Sequence, residues 1–153
     1  MLKEGDKAPS FSTEDESGNS ISSKNLKGQK YILYFYPKDN TPGCTKQACS
    51  IRDGYSAFNK LKIPIFGISK DTAASHKKFI DKFKLPFPLL MDEDVTLAKA
   101  YEVWGEKSMY GRKYMGVIRS TFVINEKGII EKVFPKVSVS EHATELLEYL
   151  KIK

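Results

Sequence analysis

Residues 31–53 read YILYFYPKDNTPGCTKQACSIRD. The first six, Tyr31 to Tyr36, form a continuous apolar run of the kind buried on both faces at the centre of a sheet. From Cys44 onward, Ala48, Ile51, Tyr55 and Phe58 recur at helical spacing. A buried strand running straight into a helix is the unit from which α/β sheets are built. The junction between the two is where such sheets present functional groups.

The flanking sequence repeats the pattern. PIFGIS (64–69) reads as a second core strand, and STFVIN (120–125) with GIIEKVF (128–134) reads as a hairpin around the turn EKG. FSTEDESGNSISS (11–23) reads as a small N-terminal hairpin around Ser17-Gly18-Asn19. Asp71 can cap a helix with the apolar stripe Phe79, Ile80 and Phe83, ended by Pro86 and Pro88. DEDVTLAKAY (92–101) predicts a short helix. Ser138 and Glu141 have capping-box spacing ahead of a last helix with Ala143, Leu146, Leu147 and Leu150 on one face. VWGEKSMYG (103–111), with the only tryptophan, Trp104, reads as a loop. The expected fold is α/β. It is a thioredoxin-like core with a central mixed sheet flanked by helices and an N-terminal β-hairpin extension.

The chain has 153 residues, which suits one domain over 1–153 with a real core. No apolar run is long enough to span a bilayer, and MLKEGDKAPSF lacks the apolar region of a signal peptide. A cytoplasmic location is therefore expected. The net charge is +6, but the lysines are spread along the chain beside Asp and Glu, with no dense basic run. That favours a solvated surface over a nucleic-acid partner.

The only cysteines are Cys44 and Cys49. Their C-x4-C spacing fits neither a C-x-x-C redox motif nor most zinc knuckles. Thr41 suits an N-cap and Pro42 the first helical position, so Gly43 and Cys44 fall in the first turn. There Cys44 meets the positive end of the helix dipole and amides without intrahelical partners, and both favour a thiolate. Cys49 sits about 140° around the helix and about 7.5 Å along it, a Cα separation of roughly 8.7 Å. A disulfide needs less than about 7 Å. The two sulfurs therefore never bond, or they bond only when the helix unwinds. Gly54 in the same pattern weakens the helix by about 1 kcal/mol relative to Ala. From the residues alone, nucleophilic chemistry competes with two thiols buried for packing, since Cys44 shares a face with Ala48, Ile51 and Tyr55. A metal would need His76 or His142. Neither has ligand spacing to the cysteines: His76 shares a face with Phe79, Ile80 and Phe83, and His142 falls in the polar first turn of the last helix.

The segment FYPKDNTPGCTKQACSIRD resembles the peroxiredoxins, and more narrowly their bacterioferritin comigratory protein, or Q-type, branch. The family signature Pro-x-x-x-Thr/Ser-x-x-Cys is met by Pro37, Thr41 and Cys44. VWGEKSMYGRKYMGVIRSTFVINEKG (103–128) is typical of the branch and carries the family arginine, here Arg119. The resemblance implies a thiol peroxidase that reduces hydrogen peroxide and organic hydroperoxides in antioxidant defence. Cys44 would be the peroxidatic cysteine. Thr41 would hydrogen-bond thiolate or peroxide, and Arg119 would stabilise the thiolate and bind peroxide. Pro37 would shield the pocket, and the Gly43 and Cys44 amides would add donors. Cys49 would resolve the Cys44 sulfenate as an intramolecular disulfide, recycled by thioredoxin or a similar dithiol. The resemblance implies no cofactor and no metal, no nucleic-acid or membrane partner, and a monomer. Gln47 stands where other branches often carry Glu, so a role in positioning Arg119 competes with solvent exposure. Rival readings are a thioredoxin-type disulfide oxidoreductase, a holdase on the same fold, and a non-redox binding module.

Overall fold

The computed structural model describes residues 1–152. Its centre is strand β3 (Tyr31–Phe35), buried along its whole length. Alternate side chains point to opposite faces of a strand, so β3 feeds two cores. Tyr31, Leu33 and Phe35 pack on one side, and Ile32, Tyr34 and, just beyond the strand, Tyr36 on the other. Full burial of such a side chain contributes about 1.5–3 kcal/mol.

A five-stranded mixed sheet forms around it. β4 (Ile65–Ser69) runs parallel to β3, and β5 (Leu89–Met91) runs parallel to β4. On the other side β8 (Ser120–Ile124) is antiparallel to β3 and to β9 (Ile130–Phe134), giving the order β5-β4-β3-β8-β9. One face carries α1 (Pro42–Asp53), α2 (Tyr55–Lys60), α3 (Ala73–Phe83) and α5 (His142–Ile152). The other carries α4 (Thr96–Ala100) and the N-terminal segment. The N-terminal hairpin, β1 (Ser12–Glu14) with β2 (Ser20–Ser22), forms as the turn residues predict. It covers the β5 edge through an Asp15–Leu90 bridge and a 2.6 Å bond from Thr13 Oγ1 to the Met91 carbonyl. Covering an edge strand removes a template for unwanted pairing.

Four local readings change. The helical stripe from Cys44 to Phe58 is two helices, broken at Gly54. A Cβ at Gly54 would lie 3.1 Å from Ala143 Cβ, so this glycine lets α5 approach closely. The cap of α3 is Thr72, whose side chain accepts from Ser75 N, because Asp71 is already bonded to Ser69 and to the Asp39 amide. α5 starts at His142, and Glu145, not Glu141, reaches back to the Ser138 amide at 3.3 Å. The stretch read as a loop around Trp104 is an antiparallel hairpin, β6 (Trp104–Met109) with β7 (Arg112–Val117). Its turn is Tyr110 and Gly111, both at positive φ. Half of this hairpin faces solvent, so its apolar pattern is weak, and six cross-strand pairs hold it instead.

Candidate active site

The site forms where β3 and β4 end. The antiparallel register pairs Phe35 with Ser120, so Arg119 lies beside the point where the chain leaves β3 for α1. The parallel register pairs Phe35 with Ile68, which brings Ser69 and the start of α3 to the same end. Residues 37–41 run between these walls and deliver Cys44 in the first turn of α1.

Thr41 has extended backbone and caps α1 by position, with its carbonyl accepting from Thr45 N at 2.8 Å. Its side chain makes no cap bond. The hydroxyl donates instead to the Lys38 carbonyl at 2.9 Å. Pro42 occupies the first turn, where its missing N–H costs nothing. The Gly43 and Cys44 amides lie too early in α1 to have intrahelical acceptors. Pro37 lies two residues past the end of β3 and is half-buried.

Cys44 is buried and Cys49 is partly exposed, and both are free thiols. Arg119 Nη2 donates to Cys44 Sγ at 3.1 Å, and Arg119 Nη1 donates to Gln47 Oε1. A cation this close in a desolvated pocket stabilises negative charge on sulfur. Gln47 is fully buried, which removes the solvent-exposed alternative. Its position one turn after Cys44 on the same helix face brings its carbonyl oxygen to the guanidinium. A Cβ on Gly43 would come within 3.3 Å of Arg119 Nη2, so the lack of a side chain there keeps open the path from Arg119 to sulfur.

Three features beyond the motif were not legible. His142, read as part of a polar turn, is fully buried. Thr121 Oγ1 lies 2.8 Å from its Nε2 and Glu145 Oε1 lies 3.4 Å from its Nδ1. Burial and then the charge of Arg119 lower its pKa to about 4, so the ring is neutral near pH 7. Tyr34 lies under the site with its hydroxyl buried and unpartnered. Its pKa is pushed well up, by burial first and then by Cys44 and Asp39. The third feature is Asp39, in the loop between Pro37 and Thr41, which is buried against α3. Ligand-type atoms of Asp39, Asp71 and His76 lie within 4.8 Å of one another. Hydrogen bonds already occupy them: Asp39 accepts from Ser75 and His76, and Asp71 from Ser69 and the Asp39 amide. This is a hydrogen-bonded cluster rather than an open ligand set.

Comparison with known proteins agrees with this geometry. Residues 4–133 match the AhpC/TSA family. Peroxiredoxin Bcp of Bacillus subtilis is 44% identical, over 96% of this chain and 94% of its own length. Peroxiredoxin Bcp of Escherichia coli is 42% identical, over 98% of this chain and 96% of its own. Among solved structures, peroxiredoxin Q of Xanthomonas campestris superimposes with a TM-score of 0.87 at 35% identity, covering 93% of this chain and 90% of that one. A Xylella fastidiosa PrxQ mutant superimposes with a TM-score of 0.92 at 32% identity, covering 99% and 97%. Among the described residues no helix is long and apolar enough to cross a membrane. The chain belongs to the AhpC/TSA family and, within it, to the Bcp or Q-type peroxiredoxins, which are thiol-based peroxidases.

Proposed function

We propose that this peroxiredoxin reduces hydrogen peroxide and organic hydroperoxides at Cys44 and resolves the product with Cys49. The observation that carries the proposal is the 3.1 Å contact from Arg119 Nη2 to Cys44 Sγ at the N-terminus of α1. The Cys44 thiolate attacks one peroxide oxygen. The O–O bond breaks with its electron pair on the distal oxygen, which takes a proton and leaves as water or alcohol. Sulfur loses two electrons and becomes a sulfenate, the first rung of thiol oxidation. Arg119 and the Gly43 and Cys44 amides stabilise the charge that shifts onto oxygen. Thr41 turns its hydroxyl from Lys38 toward the peroxide, and Pro37 walls the pocket from water. Alkyl peroxide reduction activity is described for the bacterioferritin comigratory protein of Xanthomonas campestris, which supports organic peroxides as substrates.

Cys49 then attacks the Cys44 sulfenic sulfur. The S–O bond breaks, oxygen leaves as water, and an S–S bond forms. Because five residues of intact helix hold the two Cα atoms roughly 8.7 Å apart, the first turns of α1 unwind for this step. An external dithiol of thioredoxin type returns two electrons by disulfide exchange. The chain acts as one domain over 1–153, as a monomer in the cytoplasm, with neither nucleic acid nor membrane as partner and with no cofactor or metal. Peroxide consumption coupled to thioredoxin and its reductase tests the whole cycle. Wild type turns over, Cys44→Ser does not, and Cys49→Ser consumes one peroxide and stalls. Full turnover by Cys44→Ser would overturn the proposal.

A further inference from the structure

Asp39 stands in the middle of the segment that carries Pro37 and Thr41, and it is the most heavily held residue of that segment. Its Oδ1 accepts from Tyr36 at 2.5 Å. Its Oδ2 accepts from Ser75 Oγ at 2.8 Å and lies 2.7 Å from His76 Nδ1. Its amide donates to Asp71 Oδ2 at 2.9 Å, and Asp71 is fixed in turn by Ser69 Oγ at 2.6 Å. Both Ser75 and His76 lie in the first turn of α3, whose dipole also favours a carboxylate there. The catalytic loop is thus fastened to a neighbouring helix through one side chain.

His76 is fully buried, and both of its ring nitrogens face acceptors, Asp39 and the Leu90 carbonyl at 3.0 Å. Only the doubly protonated ring donates to both. Loss of one proton turns a nitrogen lone pair against an oxygen lone pair inside the core, where an unsatisfied group is costly. Burial opposes the charge on His76. The hydrogen bond and charge of Asp39, the Leu90 carbonyl and Asp71 outweigh it, and the pKa is raised. Tyr36 faces the cluster from just beyond β3 and remains a donor, since burial, Tyr34 and Asp39 push its pKa well above 10.0. Asp15 bridges Leu90 from the N-terminal hairpin. Lys78 and Lys82 line the adjoining cavity on the α3 side.

We propose that the Asp39–His76 pair is a clamp that positions the catalytic loop for reaction with peroxide and restrains the unwinding that lets Cys49 reach Cys44. His76 and Asp39 are positioning residues and touch no reacting atom. The inference rests on Cys44 and Cys49 as peroxidatic and resolving thiols. Its signature is a split that general destabilisation does not produce: weakening the clamp slows the peroxide step and speeds the resolving step. A charged buried hydrogen bond restrains by at least about tenfold in an equilibrium constant, and that is the size of effect expected. The restraint is full below about pH 6.5 and is lost as pH rises through the raised His76 value.

Rapid-quench mass spectrometry of the full chain after one equivalent of hydrogen peroxide counts thiol, sulfenate and disulfide with time. The variants are His76→Gln, Asp39→Asn and, as a milder lesion that leaves the ion pair in place, Ser75→Ala. Cys49→Ser in wild-type background is the control for the underlying reading. If Cys44 forms no sulfenate in that control, the reading of the cysteines has failed, and the clamp proposal with it. With sulfenate formed there, each clamp variant should resolve faster than wild type, by about tenfold for His76→Gln and less for Ser75→Ala. Their peroxide step should be slower. The gap between wild type and His76→Gln should narrow as pH rises through the raised His76 value and His76 loses its proton in wild type. Should His76→Gln not fold, Ser75→Ala gives the same sign test. Unchanged rates, both steps slowing together, or a gap independent of pH would overturn the clamp.

Discussion

Arg119 Nη2 lies 3.1 Å from Cys44 Sγ although the two residues are 75 positions apart in the chain. The contact follows from strand pairing. Pairing β8 with β3 in the Phe35–Ser120 register leaves Arg119 at the end of β3 where the helix carrying Cys44 begins. Gln47, on the same helix as Cys44, accepts from the other guanidinium nitrogen, so one planar fork is fixed at both tips.

Replacement of Arg119 should therefore strike the peroxide step. Arg119→Ala is expected to lower the second-order rate constant with hydrogen peroxide by about 10²–10³, the usual cost of a lost transition-state donor. Arg119→Lys should recover only part of this, because a single ammonium cannot serve Gln47 and sulfur with the same geometry. Stopped-flow oxidation kinetics measure both. A rate within about twofold of wild type for Arg119→Ala would contradict this role.

Gly43→Ala separates stability from catalysis. The new Cβ would sit 3.3 Å from Arg119 Nη2, so the guanidinium must shift by a few tenths of an ångström beside the sulfur. Misplacement of a catalytic group can cost about 10² in rate. Alanine favours helix over glycine by up to about 1 kcal/mol. The peroxide rate should fall while the urea midpoint holds or rises. A parallel fall of both would point to a packing defect instead.

His142 gives a pH-dependent term in stability. Its pKa is lowered to about 4, against 6.5 unfolded, so the unfolded chain binds the extra proton first as pH falls. Stability is therefore lost through that window, by about 2 kcal/mol between about pH 7.5 and about pH 5 from this group alone. His142→Asn should flatten the acid side of the stability curve relative to wild type in urea titrations. Identical pH slopes for the two proteins would refute it. His76 acts in the opposite sense, since its raised pKa gives stability that is present below about pH 6.5 and fades above.

The sequence carried the framework because apolar periodicity is strong where burial is complete. Tyr31–Tyr36 and PIFGIS both became buried parallel strands, and STFVIN with GIIEKVF became the closing hairpin. Pro37, Thr41, Cys44 and Arg119 are singled out by spacing and resemblance, and of these the fold brings Cys44 and Arg119 into contact. The β6–β7 hairpin was missed because largely exposed stretches such as Arg112–Met115 in β7 lack an apolar rhythm. The Asp39 cluster was invisible because its members come from the loop after β3, the end of β4 and the loop after it, α3 and β5, with nothing in PKDN or ASHKKF to join them. Two caps were misplaced by one to four residues because Asp71 and Glu141 look as good locally as Thr72 and Glu145. The tertiary bonds of Asp71 decided the first case.

Helix α1 should respond to oxidation. Hydrogen exchange across residues 41–53 is expected to rise when the Cys44–Cys49 disulfide forms, with β3 unchanged, because the reduced helix holds the sulfurs too far apart to bond. Equal protection in reduced and oxidised protein would rule out unwinding.

The central claim is that Cys44 is the sulfur that peroxide oxidises and Cys49 the one that resolves it. Intact-mass and peptide analysis after one equivalent of hydrogen peroxide tests this most directly, on wild type, Cys44→Ser and Cys49→Ser. Wild type should lose two hydrogens as a Cys44–Cys49 disulfide, Cys49→Ser should gain one oxygen on Cys44, and Cys44→Ser should stay unchanged on the same timescale. Rapid oxidation of Cys49 in the Cys44→Ser protein, or an unreactive Cys44 in the Cys49→Ser protein, would contradict the account.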